Sequence, residues 1–344
     1  MGAEKRLGCN TVRLANPPTI CAAACVVGKK EGEGPLKDSF DLIGNDSKFG
    51  EQSWEKAESR MQALALDAAM QKAALTTQSL DYVFAGDLLN QCVGSNFALR
   101  DMGFPFLGLY GACSTMAEGL GLSALMIDGG FAAHTAAITS SHFCSAERQY
   151  RMPLEYGGQR TPTAQWTATA AGCVLLSAEG AGPYVTHVTT GRIVDAGVKD
   201  ANNMGAAMAP AAYETLKALF AETGTGPETF DLILTGDLAR LGSGVVRDFF
   251  LADGVDLGER YQDCGEMLYD AEAQDVHMGG SGCGCSAAVL CGEVLNGMRS
   301  GKWQRIVFAG TGALLSPLST QQGESIPSIC HAVILSNTKE RAMK

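Results

Sequence analysis

The sequence predicts an α/β fold built twice over. Three observations carry that prediction: an internal repeat, apolar runs of strand length, and helix-like segments between them. Residues 81–90 read DYVFAGDLLN and residues 231–240 read DLILTGDLAR. At an offset of 150 they share the first Asp, a Gly-Asp pair and the Leu that follows. A repeat of this kind bears on the whole architecture, so it is weighed before single motifs. Strands alternating with helices imply parallel sheets covered on both faces.

The elements follow in chain order. Thr19–Val27 is the first strand; two prolines precede it and two lysines follow, flanks that do not suit a secretion signal. Glu55–Leu75 reads as a helix, with Met61, Leu64 and Ala68 at helical spacing. Tyr82–Ala85 is a short strand that runs into Gly86-Asp87. Gly111-Ala112-Cys113-Ser114 opens a helix reaching Ile127, and Ala136–Thr139 is the next strand. The apolar run Gly172–Ser177 closes the first half. The small-residue segment Ala178–Pro183 is the expected seam, which divides the chain into halves 1–180 and 181–344.

The second half repeats the order. A helix over Pro210–Phe220 carries Tyr213, Leu216 and Phe220, and the strand Leu232–Thr235 runs into Gly236-Asp237. Gly284-Cys285-Ser286-Ala287 opens a helix, and Ile306–Ala309 leads to Gly310-Thr311-Gly312. Cys113 and Cys285 lie 172 residues apart against 150 for the Gly-Asp pairs, so the second copy holds 22 extra residues between them. Ala124, Ala287 and Ala288 on the two cysteine-led helices predict that these helices pack closely at the centre.

Composition narrows the function classes. The chain has 344 residues, 46% hydrophobic and 18% charged, which suits a soluble globular protein with a sizeable core. A net charge of −11 argues against nucleic acid and against an anionic membrane bound through basic patches. It leaves room for a small anionic ligand held by local donors. Twelve cysteines at irregular spacing read as free thiols in a reducing compartment. No apolar stretch reaches the roughly 18 residues of a membrane span.

Several residues stand out chemically. Cys113 at a helix start faces unpaired N–H groups and the positive dipole end, which predicts a thiol more acidic than a free cysteine. The alternative is a small buried residue filling a corner. His142 leaves the carboxyl end of a strand, where ligands gather in α/β sheets. Arg148, Arg151 and Arg160 concentrate positive charge in an acidic chain, either for a ligand or as an ordinary surface helix. Asp87 and Asp237 are expected to cap the helices that follow them. Cys283-Gly-Cys285 has no second cysteine pair, so no metal is expected.

AGDLLNQ, GACST, SSHxxxAERQYRxPxEYGGQ, GDLARLGS, GGSGCGCSA and TGALLSP occur in that order. With its two α/β halves, the chain resembles the thiolase and ketoacyl-synthase superfamily. Within it the chain is similar to the stage V sporulation protein AD family. The resemblance implies a duplicated αβαβα fold in five layers with two pseudo-symmetric halves, and a homodimer. It implies a protein of the developing spore that binds dipicolinic acid (pyridine-2,6-dicarboxylate), alone or with calcium. That protein would support uptake of the ligand beside the membrane components of the stage V sporulation A system. No cofactor is implied.

By the same resemblance, Cys113 takes the nucleophile position and His277 that of a catalytic partner. Gly310 and Gly312 match the glycine-rich loop that supplies a backbone N–H. Cys113, His142, Asp87, Gly310, Gly312 and the three arginines become candidates for ligand contact, guanidinium being a planar donor for carboxylates. Where the superfamily has an Asn-Glu loop or a histidine, this chain has Gly236-Asp237, and a carboxylate there opposes developing enolate charge. A binding protein is therefore expected. The alternatives are an active acyltransferase or condensing enzyme using Cys113, and a scaffold with a vestigial pocket.

Overall fold

A computed structural model describes residues 5–150 and 160–339. The first half contains β1 (Thr11–Arg13), β2 (Thr19–Val27), β3 (Leu42–Ile43), α1 (Trp54–Ala73), β4 (Tyr82–Gly86), α2 (Val93–Leu99) and β5 (Phe106–Leu109). It continues through α3 (Thr115–Asp128), β6 (His134–Ser141), α4 (Phe143–Tyr150), β7 (Trp166–Thr167) and β8 (Ala170–Ser177). The second half begins with β9 (Tyr184–Thr189), α5 (Met204–Thr223), β10 (Leu232–Thr235), α6 (Ala239–Ala252), β11 (Tyr261–Asp263) and α7 (Cys264–Met267). It ends with β12 (Gly280–Ser281), α8 (Cys283–Val289), α9 (Leu295–Arg299), β13 (Arg305–Ala313), α10 (Pro317–Gln321) and β14 (Ser328–Ser336). The segment 178–183 joins β8 to β9.

The strand order makes the duplication explicit. The first half runs β2-β8-β6-β4-β5 and the second β9-β14-β13-β10-β11. Strand for strand these correspond. Between β2 and β9 the two halves of the sheet are joined by one residue pair, Thr19 opposite Tyr184, and β1 adds three more pairs with β9. The sheets are mixed rather than wholly parallel, contrary to the sequence reading. β4 is parallel to β5 and β6, and β10 to β11 and β13, while β8 and β14 run antiparallel to their neighbours. In the second half β13 returns to β14 through α10 and reverses direction.

Burial follows the two-residue period of a strand covered on both faces. On β8, Ala171, Cys173 and Leu175 pack under α1, while Ala170, Val174 and Leu176 face the central layer. On β13, Ile306 and Phe308 face the centre, and Val307 and Ala309 face α5 and α6. The central layer is α3 and α8, with Met116, Leu120 and Ala124 from one and Cys285, Ala287 and Ala288 from the other. The two helices pack together there, giving the αβαβα arrangement. Gly172 lets α8 lie directly on β8, since a Cβ on it would stand 2.8 Å from that of Ala287. No helix among the described residues is long and apolar enough to cross a membrane.

Candidate functional site

Cys113 sits in a short 3-10 turn, Ala112–Ser114, between β5 and α3. Ser114 Oγ donates to the Gly111 carbonyl at 2.7 Å and Thr115 Oγ1 to that of Ala112 at 2.6 Å, which tightens the turn. The turn is pressed against β13. A Cβ at Gly312 would stand 2.6 Å from the Gly111 oxygen, and one at Gly310 would stand 2.8 Å from the Ala117 Cβ. Gly310 and Gly312 are thus paired strand residues, opposite His331 and Ile329 of β14, and not a terminal loop. Their lack of side chains lets the strand seat the cysteine turn.

The Cys113 side chain is 6% exposed and clusters with Leu88, Ala146 and Cys283. It borders a recess whose lining includes Ala112, Glu147, Tyr150, Thr167, Asn202, Met204, Ser281, Ala313 and Leu315. The thiol lies beside the Asp237 carboxyl, which acts on its titration. Burial first, then the Asp237 carboxylate, push the Cys113 thiol well above its ordinary value, against the weaker pull of the Gly282 N–H. The acidic thiol expected from the helix start is therefore corrected: desolvation and a neighbouring carboxyl outweigh the dipole.

Asp237 is wholly buried. It accepts from the Gly282 N–H at 2.8 Å, from Thr311 Oγ1 at 2.8 Å and from Ser281 Oγ at 3.2 Å. Burial raises its pKa while these donors and Cys113 hold it down, the net shift being upward. Asp237 does not cap α6. That task falls to Asp263, which accepts from the N–H groups of Leu238 at 2.9 Å and Ala239 at 2.8 Å.

Asp87 does cap. It accepts from the N–H groups of Leu89 at 2.9 Å and Ser95 at 2.7 Å, and from Ser95 Oγ at 2.7 Å. Beside it lies Glu58, fully buried, which accepts from Ser140 Oγ at 3.0 Å and Ser145 Oγ at 2.7 Å. Gln62 Nε2 ties the group together, donating to Gly86 O, Ser95 Oγ and Ser140 Oγ. Burial, and then the charge of Asp87, drive the Glu58 carboxyl upward. Cys283 links this network to Cys113, its Sγ donating to the Ser140 carbonyl at 2.9 Å.

The other candidates lie elsewhere. His142 is fully buried; its Nδ1 accepts from the Cys144 N–H at 3.1 Å and its Nε2 meets the Ser47 carbonyl at 2.6 Å. Both ring nitrogens are thus used by backbone, and burial lowers the pKa and keeps the ring neutral. Arg148 pairs with Glu55 and covers the Trp54 ring. Arg160 and His277 border a separate surface recess with Thr161, Pro162 and Met278. His277 Nδ1 meets the Thr161 carbonyl at 2.6 Å and its Nε2 lies 3.2 Å from Asp275. Neither residue borders the Cys113 recess. Arg151 falls outside the described residues. No group of three or more His, Cys, Asp or Glu side chains among the described residues is arranged to hold a metal ion.

Sequence reasoning missed Glu58, Gln62 and Asp263. Glu58 had a signal, since it shares the helical stripe of Met61, Ala65 and Ala69 at spacings of three and four. Asp263 had none, because it reaches α6 from another strand. Chemically, a protonated thiol held by a buried carboxyl, with no histidine beside it among the described residues, forms a binding wall better than a nucleophile.

Known proteins align with this chain along nearly all its length. Residues 8–336 match the family model for stage V sporulation protein AD. Stage V sporulation protein AD of Bacillus subtilis (strain 168) is 42% identical over 330 residues, covering 96% of this chain and 97% of that protein. Among solved structures, 3-oxoacyl-[acyl-carrier-protein] synthase III from Aquifex aeolicus VF5 superposes with a TM-score of 0.55 at 11% identity, covering 93% and 99% of the two chains. Human mitochondrial 3-ketoacyl-CoA thiolase in complex with CoA gives 0.57 at 11% identity, covering 95% and 99%. At such identities the enzymes speak for the fold alone. The sequence match, sustained from the first strand to the last, makes this chain a member of the stage V sporulation protein AD family.

Proposed function

We propose that this sporulation protein binds dipicolinic acid at the Cys113 recess as a non-catalytic carrier. On this reading it acts in the developing spore and supports ligand uptake with the membrane components of the stage V sporulation A system. The observation that carries the reading is the buried Asp237 carboxyl beside the Cys113 thiol. A carboxyl in that position keeps the sulfur protonated and offers no positive charge to an enolate. No lysine or arginine is among the described residues that line the recess. A site so lined favours an uncharged form of the ligand. The neutral calcium chelate of the dicarboxylate meets that requirement, with calcium as part of the cargo.

The homodimer belongs to the same proposal. β5 is an edge strand; Leu107 on it is 45% exposed, and Tyr110 just beyond it 50%. Pairing of two β5 edges would cover them.

Calorimetry with dipicolinate, with and without calcium, tests the function. Wild-type protein is expected to bind, more tightly with calcium, and Cys113→Trp, which fills the recess, to lose at least tenfold in affinity. Absence of binding by the wild type, or unchanged binding by Cys113→Trp, would overturn the proposal. Mass spectrometry after incubation with short acyl-coenzyme A thioesters checks the enzyme reading. An acyl group on Cys113 that turns over would restore it.

A further inference from the structure

Outside the Cys113 recess, one cluster gathers positive charge in a chain of net charge −11. Arg160 Nη2 lies 3.0 Å from Asp275 Oδ1 and 2.9 Å from the Asp275 carbonyl. His277 Nε2 lies 3.2 Å from the same carboxylate oxygen, and Lys30 Nζ donates to the Asp275 carbonyl at 3.4 Å. Lys30 and Arg160 also cover the Trp166 ring, at 4.1 Å and 4.7 Å from its centre. That ring is stacked on Phe143 at 3.8 Å and 9°, which makes a rigid base.

Two features show that the cluster has more donors than Asp275 consumes. Arg160 Nη1 is buried and has no hydrogen-bond partner among the described residues. The Asp275 side chain is 77% exposed, so the carboxylate bonded to Arg160 and facing His277 is free to leave. His277 is held with φ +55, and its bond from Nδ1 to the Thr161 carbonyl turns Nε2 toward Asp275.

We propose that Lys30, Arg160 and His277 form a second ligand site, specific for a small carboxylate, which the chain's own Asp275 occupies until an external carboxylate displaces it. The guanidinium supplies the planar fork that carboxylates fit, and its spare Nη1 supplies the second contact that Asp275 does not take. Trp166 is already covered on its face by the two cations, so the site recognises the carboxylate and not an aromatic ring attached to it. The site shares no lining residue with the Cys113 recess and stands independently of the function proposed there.

Acetate is the probe, and the His277 ring resonance in NMR is the reporter, with sodium chloride at equal ionic strength as the control. Asp275→Ala vacates the carboxylate position on an exposed side chain. It is expected to show a saturable His277 shift with acetate, at least tenfold tighter than wild type and absent with chloride. Arg160→Gln or Lys30→Gln in the Asp275→Ala background should weaken that binding at least fivefold. The proposal is overturned if Asp275→Ala shows no saturable shift, if it binds no tighter than wild type, if chloride acts alike, or if both double variants keep full affinity.

Discussion

Asp87 and Asp237 end corresponding strands in the two halves, follow the same glycine, and do opposite things. Asp87 turns back on its own segment and holds the N–H groups and hydroxyl that begin α2. Asp237 turns away from its own helix and accepts from Gly282, Thr311 and Ser281, all three more than forty residues further along the chain, beside the Cys113 thiol. The divergence rests on Asp263. Once the end of β11 supplies the cap for α6, the repeated aspartate is released to face the recess. Equivalent positions in a duplicated fold thus keep their backbone and exchange their work.

The comparison breaks most visibly at Asp237. Asp237→Ala strands the Gly282 N–H and two hydroxyls in a buried space, and should cost about 3–5 kcal/mol in urea unfolding, because each orphaned buried donor costs about 1–3 kcal/mol. Asp237→Asn keeps much of that bonding and removes the charge. Its Cys113 is expected to react faster with iodoacetamide than the wild type at pH 8, since a raising influence on the thiol is gone. An unchanged rate would show that burial alone controls the sulfur.

A second effect comes from the first half. The Glu58 carboxyl is pushed up to about 8 from 4.5, chiefly by burial and then by Asp87. A carboxyl raised in the folded state stabilises most fully below the unfolded value. Between pH 4.5 and 8 the unfolded chain has lost that proton and the folded chain keeps it, so stability falls as pH rises. The Glu58 share of the decline should amount to a few kcal/mol across the window and should be missing in Glu58→Gln, which is expected to show a shallower slope between pH 5 and pH 8 in denaturation, the other raised carboxyls Asp237 and Asp263 keeping the rest. A slope unchanged in Glu58→Gln would assign all of it to other groups.

The smallest effect is expected at Asp87. Asp87→Ala also strands two N–H groups and the Ser95 hydroxyl, but it relieves the charge on Glu58 at the same time, which offsets part of that cost. The net cost should be well below that of Asp237→Ala. Equal costs would mean that the two aspartates are not functionally distinct.

How much of this was legible depended on whether the cause lay nearby in sequence. The helices and strands were legible because their apolar spacing is local; α1 spans Trp54–Ala73 where the spacing predicted Glu55–Leu75. The duplication showed in the paired Gly-Asp motifs. Asp87 could be read as a cap because its partners follow within eight residues. Asp237 could not, since its cap was taken by Asp263 and its partners come from β12, the start of α8 and β13. His142 at a strand end looked available to a ligand, yet the Ser47 carbonyl, 95 residues away, already holds its ring. Arg148 and Arg160 showed as charge in the sequence; which recess each would border was a tertiary matter.

The helix α8 lies in the second half of the chain but rests on β8 and β6 of the first. Gly172 under Ala287 fixes that seat to within the width of a methyl group. A gene fragment encoding either half would therefore yield a polypeptide with an uncovered apolar floor or an unseated helix. The ancestral single unit, if it stood alone, had to meet a second copy to close that floor. Fusion into one chain made the encounter intramolecular, and thereafter each copy was free to lose chemistry that its neighbour retained.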